Sequence, residues 1–190
     1  FFQASSLNTP LDQWDVRKVT DMRDMFHAAS SFNQSLGGWN VSSVTNMRNM
    51  FLGASSFNQD LCPWGQVQSF PYGSGSTDMF KNSGCANTTS PIQAIKGPFC
   101  ASNCPIVYPS ENPSENPSEN PSKNPSESPS ENPSESPTRY CFPSKPSLQD
   151  AVDAYIDQGC STNSTCAARQ MYGDIGTWCT TGITDMSFLF

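Results

Sequence analysis

The sequence has few of the groups from which a catalytic site is built. It contains a single histidine, His27, and only 14% of its 190 residues are charged. The positions equivalent to His27 in two related segments hold Phe2 and Leu52, which is typical of packing rather than of a general base. Without a second histidine, a Ser-His-Asp or Cys-His site lacks its usual base. We therefore predict no catalytic residue, no bound cofactor and no enzymatic activity.

Basic charge and long apolar runs are also missing. The formal net charge is −7, which argues against nucleic acid or anionic lipid as a partner because both require a cationic face. No apolar run reaches the length of about 18 residues that a membrane-spanning helix needs, so we expect no membrane insertion of this segment. The chain begins at Phe1 inside a repeat, and we interpret it as a fragment whose signal peptide would not be visible.

Cysteine, by contrast, is abundant and evenly placed. Four cysteines precede the proline-rich stretch and four follow it: Cys62, Cys85, Cys100 and Cys104, then Cys141, Cys160, Cys166 and Cys179. Even sets of this kind predict two separately closed groups of disulfides, and each set allows three pairings. A metal site is the weaker alternative, because the Cys100/Cys104 spacing is not the CxxC of a zinc knuckle.

Three N-glycosylation acceptors occur, at Asn40, Asn87 and Asn163. Each is a short motif that arises by chance in a chain rich in Asn, Ser and Thr. Together with paired cysteines they favour an extracellular, cell-surface or cell-wall location.

The N-terminal part consists of 25-residue copies. Residues 1–25 align with 26–50 without a gap and are identical at 13 positions, and a third copy opens at Phe51 before it degrades near Gly65. A fixed period of this length indicates stacked units that bury matched apolar side chains. We predict continuous ladders of the repeated Leu, Trp, Val, Met and Phe positions and another of Asn8, Asn33 and Asn58.

The predicted fold is a leucine-rich-repeat-like solenoid with one short parallel β-strand per coil, near Val19–Met22 and Val44–Met47. Residues 1–64 form the repeats, and 65–104 form a disulfide-stapled C-terminal cap. Residues 105–139 carry proline at every fourth position and are predicted to be a disordered, polyproline-like Pro/Ser/Glu linker.

A helical segment and a further repeat follow the linker. Residues 140–177 are predicted to form an N-terminal cap, with a helix that begins at an N-cap Ser147 and ends before Gly159. Trp178 and Met186 have the spacing of Trp39 and Met47, so 178–190 are interpreted as the first repeat of a second array.

The repeated phrases WDVRKVTDMRDMFHAASSFNQ, from Trp14, and WNVSSVTNMRNMFLGASSFNQ, from Trp39, resemble the BspA-like leucine-rich repeat family of surface proteins. The resemblance covers about residues 1–64 and 178–190. It implies a leucine-rich-repeat solenoid, display on the cell surface, and adhesion to host or matrix proteins. The family motif contains no catalytic residues.

A binding surface is expected at positions that differ between copies: Asp12, Gln13, Arg17, Lys18, Asp24, Ser42, Ser43 and Asn49. A Ca²⁺ site at Asp12, Asp15, Asp21 and Asp24 is the weaker interpretation, since neither EF-hand nor RTX spacing is present. We expect a non-enzymatic surface protein that recognises proteins or glycans. The alternatives are a structural spacer of a wall or matrix and an accessory binding module of a larger secreted enzyme.

Overall fold

The computed structural model describes residues 4–100, 104 and 140–190. The described residues form one compact unit, and the predicted linker at 105–139 lies outside them. The described part contains two α-helices, α1 (Lys145–Asp157) and α2 (Ala167–Tyr172), and short 3-10 turns at Cys62–Gln66, Gly73–Ser76, Gln93–Ile95 and Ile175–Thr177. Within it, no helix has the length and apolar character needed to cross a membrane.

The repeated apolar side chains form continuous stacks between copies, as the period predicts. The Phe26 and Phe51 rings stack with their centroids 5.5 Å apart, and Phe80 continues this column 5.8 Å beyond Phe51. The rings in the column are nearly parallel, and each residue is fully buried. The aliphatic side chains at the repeated positions are also buried in both copies. They are Leu11, Val16, Val19, Met22 and Met25 in the first copy, and Leu36, Val41, Val44, Met47 and Met50 in the second.

The tryptophans fix the spacing between copies through their indole N–H groups. Trp39 donates to the carbonyl of Leu11 in the preceding copy at 3.0 Å, and Trp64 donates to that of Leu36 at 3.2 Å. A buried indole N–H requires an acceptor, and for Trp39 and Trp64 the acceptor comes from the neighbouring copy. The stack is therefore held by hydrogen bonds as well as by apolar contact.

The predicted solenoid with one parallel strand per coil is wrong. Among the described residues no strand forms, and neighbouring copies share only isolated parallel bridges, such as Asp21 with Asn46. Main-chain N–H groups of Met22 and Phe26 do donate to the next copy, at 2.8 and 2.9 Å. The N–H of Met25, which lies between them, instead donates to the carbonyl of Met22 in its own copy and so closes a turn. Two-way bonding is present at the Asp21–Asn46 bridge, where Thr45 donates to Thr20 and Met22 donates to Asn46. Because turns take up the alternate donors that follow, the bonding does not extend into a parallel strand pair.

Left-handed backbone at fixed repeat positions explains where these turns come from. Positive φ angles of 54–56° occur at four equivalent residues, Asp24, Asn49, Asp78 and Phe188. A second set, four residues further on, comprises Ala28, Gly53 and Asn82, with φ of 57°, 73° and 58°. Asp, Asn and Gly tolerate this conformation better than other residues, which accounts for most of the identities found there.

Two disulfide-stapled segments close the ends of the stack. Cys62–Cys104 and Cys85–Cys100 hold the degraded third copy, and Cys141–Cys179 and Cys160–Cys166 hold the segment that carries α1 and α2. All eight cysteines are paired. The prediction of disulfide bonding, with separate sets before and after the linker, is confirmed.

Helix α1 begins earlier than predicted. Its N-cap is Ser144, whose hydroxyl accepts from the N–H of Ser147, and Pro146 lies in the first turn. Proline is tolerated there because the N–H it lacks has no intrahelical partner. The prediction of Ser147 as N-cap is therefore wrong, whereas Gly159, with a φ of 63°, follows the helix end as expected.

The final segment lies against the first copy of the same chain. The N–H of Met186 donates to Asp21 at 2.8 Å, and the N–H of Thr20 donates to the carbonyl of Thr184 at 2.7 Å. Phe190 extends the phenylalanine column, 5.3 Å from Phe26. Residues 178–190 thus have the repeat geometry predicted for them, with residues 14–26 as their neighbour. Their assignment to a second array stays a prediction.

Candidate binding face

A row of hydroxyl groups runs across the copies on the outside of the stack. Thr20, Thr45 and Thr184 are exposed, and each of the first two donates its hydroxyl to the carbonyl of the threonine in the preceding copy at 3.1 Å. Each threonine directly follows a buried Val or Ile, and a buried methionine lies two residues after it. We call Thr20, Thr45 and Thr184 the threonine row.

A second row of hydroxyls lies two residues earlier in the repeat. Ser43 donates to the carbonyl of Arg17 at 2.7 Å, and Ser69 donates to that of Ser42 at 2.6 Å. These bonds have the same register, so Ser43 and Ser69 are equivalent positions in successive copies. The two rows together define the candidate binding face.

Acidic and amide side chains flank the threonine row and shape its turns. Asp21 and Asn46 each accept from the N–H two residues later, at 2.8 and 3.2 Å. The Asn46 side-chain amide donates to Asp21 at 3.1 Å, which ties the two copies together. These carboxylate and amide oxygens are used for turn formation, and so is Asp15, which accepts from the N–H of Arg17. This role in the turns explains why Asp or Asn recurs at these positions, and the explanation does not require the Ca²⁺ site considered in the sequence analysis.

Asp185 continues the flanking row, where it meets α1. The Lys145 ammonium donates to its carboxylate at 3.0 Å, and the Ser187 hydroxyl donates as well. Partial burial raises the pKa of Asp185, but the hydrogen bonds from Ser187 and Lys145 outweigh that effect and lower the pKa overall. This contact could not be found from sequence, because nothing in the repeat period brings Lys145 to this position.

The structure separates the eight residues predicted for the binding surface. Asp12, Gln13, Arg17, Lys18 and Ser42 are exposed, and Ser43, in the second row of hydroxyls, is half-buried. Asp24 is only 6% exposed. Asp24 and Asn49 both occupy a left-handed turn position, so the Asp/Asn difference there reflects backbone conformation. Of the eight, Arg17, Lys18, Ser42 and Ser43 lie in or next to the candidate binding face.

An ion pair at the edge of this face has a clear electrostatic effect. Arg17 donates to both oxygens of Asp15, at 2.9 and 2.8 Å. The hydrogen bond from the Arg17 side chain lowers the pKa of Asp15 to about 2. Since the Arg17 side chain is 70% exposed, solvent screens this pair and its contribution to stability is small.

The amide ladder predicted at Asn8, Asn33 and Asn58 forms a separate polar row. The side-chain oxygen of Asn33 accepts from the N–H of Asn58 at 3.0 Å and from the side-chain amide of Gln59 at 2.8 Å. Asn8 makes the same pair of bonds one copy earlier, and the N–H of Ala86 ends the row at Asn58. This ladder is structural, because its acceptors are occupied by main-chain donors.

The three glycosylation acceptors share a local geometry. Asn40, Asn87 and Asn163 each accept from the N–H two residues later, at 3.0–3.1 Å. Asn40 and Asn163 are exposed, and Asn87 is half-buried in the C-terminal cap. Occupancy of these sites stays a prediction.

A comparison with protein families matches residues 1–92 to a family described as "Mycoplasma protein of unknown function, DUF285". The match spans the three copies and most of the cap as far as Ile92. No curated protein and no solved structure matches the chain. The four disulfides indicate an oxidising environment of the extracellular kind.

Proposed function

We propose that this protein is a non-enzymatic repeat protein of the cell surface or wall that recognises glycans or surface proteins through the candidate binding face. The observation that carries the proposal is that hydroxyls recur in a constant register, the threonine row over three copies and Ser43 with Ser69 over two. Hydroxyls at a fixed spacing, flanked by carboxylate, amide and guanidinium groups, suit a ligand that is itself polar and periodic. A glycan chain or a polar protein surface has that character.

The resemblance of the repeats to BspA-like surface proteins supports the same function. The match to residues 1–92 is consistent with that resemblance, although its description names no activity. The disulfides that close both ends would keep the stack folded outside the cell. Weak contacts at each row would gain from multivalency where several such units are displayed together.

A binding screen with matched variants tests the proposal. The chain would be displayed on a multivalent surface and screened against glycans and purified surface proteins. Replacing all three threonines of the row by valine removes the hydroxyls and preserves the side-chain shape, and we expect at least a tenfold loss of binding to any ligand found. Ser30→Ala with Ser55→Ala is the control, because those hydroxyls also donate to the preceding copy but belong to another row.

Two outcomes would contradict this function. If multivalent native protein bound nothing, a passive spacer of a wall or matrix would become the better explanation. If the valine and alanine variants lost binding equally, the ligand would not be recognised by the threonine row.

A further inference from the structure

One of the four disulfides differs from the others in its exposure. Cys141 is exposed and Cys179 is half-buried, so the bond between them lies at the surface. Each of the other three bonds contains at least one buried cysteine, with an exposed fraction of 8% or less: Cys62, Cys85, Cys100, Cys160 and Cys166. A thiolate must reach a sulfur atom directly to break a disulfide, and exposed disulfides are the labile ones. Exposure therefore distinguishes Cys141–Cys179 as the bond open to reaction.

The two sulfur atoms of this bond are not equivalent. The hydroxyl of Thr181 lies 3.4 Å from the Sγ of Cys179. Because a disulfide sulfur carries no hydrogen, the hydroxyl is the donor in this contact. Such a hydrogen bond strengthens as negative charge develops on its acceptor, so it favours the departure of Cys179 as a thiolate. Cys141 is thus the sulfur that an incoming thiolate can reach, and Cys179 is the sulfur that leaves.

The main chain on both sides of the bond is also held by other contacts. Cys141 and Cys179 face each other in an isolated parallel bridge. The N–H of Phe142 donates to the carbonyl of Cys179 at 3.2 Å, and the N–H of Cys179 donates to that of Tyr140 at 3.0 Å. Phe142 is 3% exposed, and its ring packs on Trp178 with the centroids 5.0 Å apart. These contacts do not require the S–S bond, so its cleavage would leave the two segments in place.

We propose that Cys141–Cys179 is a thiol-exchange site that accepts cysteine thiols from outside the protein. The external thiolate forms a bond to the Sγ of Cys141, and the S–S bond breaks with its electron pair passing to the Sγ of Cys179. The Cys179 thiolate takes up the proton that the incoming thiol released to water. One disulfide replaces another, so no oxidant or reductant is consumed. The site is independent of the proposed ligand recognition, since it uses neither row of hydroxyls.

Trapping of the exchange product tests the site. The oxidised native chain would be incubated with glutathione, alkylated with iodoacetamide at intervals and mapped by peptide mass spectrometry. We expect glutathione on Cys141 and the alkyl group on Cys179, at least about tenfold faster than reaction at any other disulfide. A small protein with one exposed cysteine would be tested in parallel, because a peptide thiol and a protein thiol share this chemistry. Reaction with glutathione alone would assign the site to small thiols, and reaction with both would extend it to protein partners.

Matched variants separate the contact at the leaving sulfur from general access. Thr181→Val removes the hydroxyl and should slow exchange about three- to tenfold, whereas Thr181→Ser keeps a hydroxyl and should retain the native rate. Thr162→Val is the control, because Thr162 is also exposed but its hydroxyl donates to the carbonyl of Gly159 and not to a sulfur. Tryptophan fluorescence, followed during the reaction, should stay native because Trp178 remains buried.

Three results would overturn the proposal. The first is that neither thiol reacts, or that another disulfide reacts as fast as Cys141–Cys179. The second is glutathione on Cys179, or an unchanged rate in Thr181→Val, since either contradicts the assignment of the leaving sulfur. The third is loss of native tryptophan fluorescence in step with exchange, which would mean that the bond opens only when the protein unfolds.

Discussion

The second set of left-handed positions allows two reciprocal substitutions whose effects should have opposite signs. Ala28 has a φ of 57°, and its equivalent in the next copy is Gly53, with a φ of 73°. An L-residue in this conformation is strained by about 1–2 kcal/mol, and glycine loses about 0.4–1 kcal/mol more on folding through the entropy of the unfolded chain. Ala28→Gly should therefore stabilise the protein by about 0.5–1 kcal/mol, and Gly53→Ala should destabilise it by a similar amount.

Steric contact does not obscure this comparison. A Cβ added at Gly53 would have the Cα of Ala28 as its nearest neighbour, at 3.7 Å, which is an ordinary van der Waals distance. Ala154→Gly, inside α1, is the matched control, and there the same chemical change should cost about 1 kcal/mol.

Denaturant unfolding of the oxidised protein measures all three variants. The midpoint should rise for Ala28→Gly and fall for the other two, with an unchanged slope. If Ala28→Gly lowered the midpoint as much as Ala154→Gly does, residue 28 would not have left-handed backbone, and the account of why strands do not form would fail.

Three further predictions concern the ladders and the ion pair. Phe51→Ala should cost about 3–5 kcal/mol in the free energy of unfolding, because it interrupts the ring column; a cost under 1 kcal/mol would contradict that column. Asn33→Ala should cost about 1–2 kcal/mol, whereas Asn33→Asp keeps both acceptors and should stay near the native value in the same unfolding assay; equal losses would refute an acceptor role. The pKa of Asp15, about 2, should rise towards its ordinary value of 3.8 in Arg17→Gln but not in Arg48→Gln, as followed by NMR titration. Because folding lowers this pKa, the small stabilisation from the pair is present above pH 3.8 and is lost as the pH falls towards 2.

Much of the core was predictable because burial follows the repeat period directly. A side chain that recurs every 25 residues meets its own equivalent in the next copy, so Phe26 stacks on Phe51 and Trp39 reaches back to Leu11. The division of the cysteines into two closed sets was equally predictable, since the linker separates the two sets in the sequence. The candidate binding face was predicted only in part, because variation between copies marks turn positions such as Asp24 as well as exposed ones.

The absence of strands among the described residues could not be predicted from the sequence, where β-branched Val19 and Val44 favour a strand. Strand formation depends on where alternate N–H groups find acceptors, and here turns within each copy compete with the neighbouring copy. Left-handed residues at positions such as Asn49 decide that competition, and a short Asp/Asn signal does not reveal it.

By itself, the sequence determined which side chains face the core, which segments carry the disulfides and which residues repeat, because these depend on local pattern and period. Only the tertiary structure decided which copies are neighbours. Every copy presents main-chain donors and acceptors at the same repeat positions, so the sequence of 178–190 is compatible with any of the copies as its neighbour. The contact with residues 14–26 is made by main-chain hydrogen bonds at Thr20 and Met186 and by stacking of Phe190 on Phe26, and no local pattern specifies it.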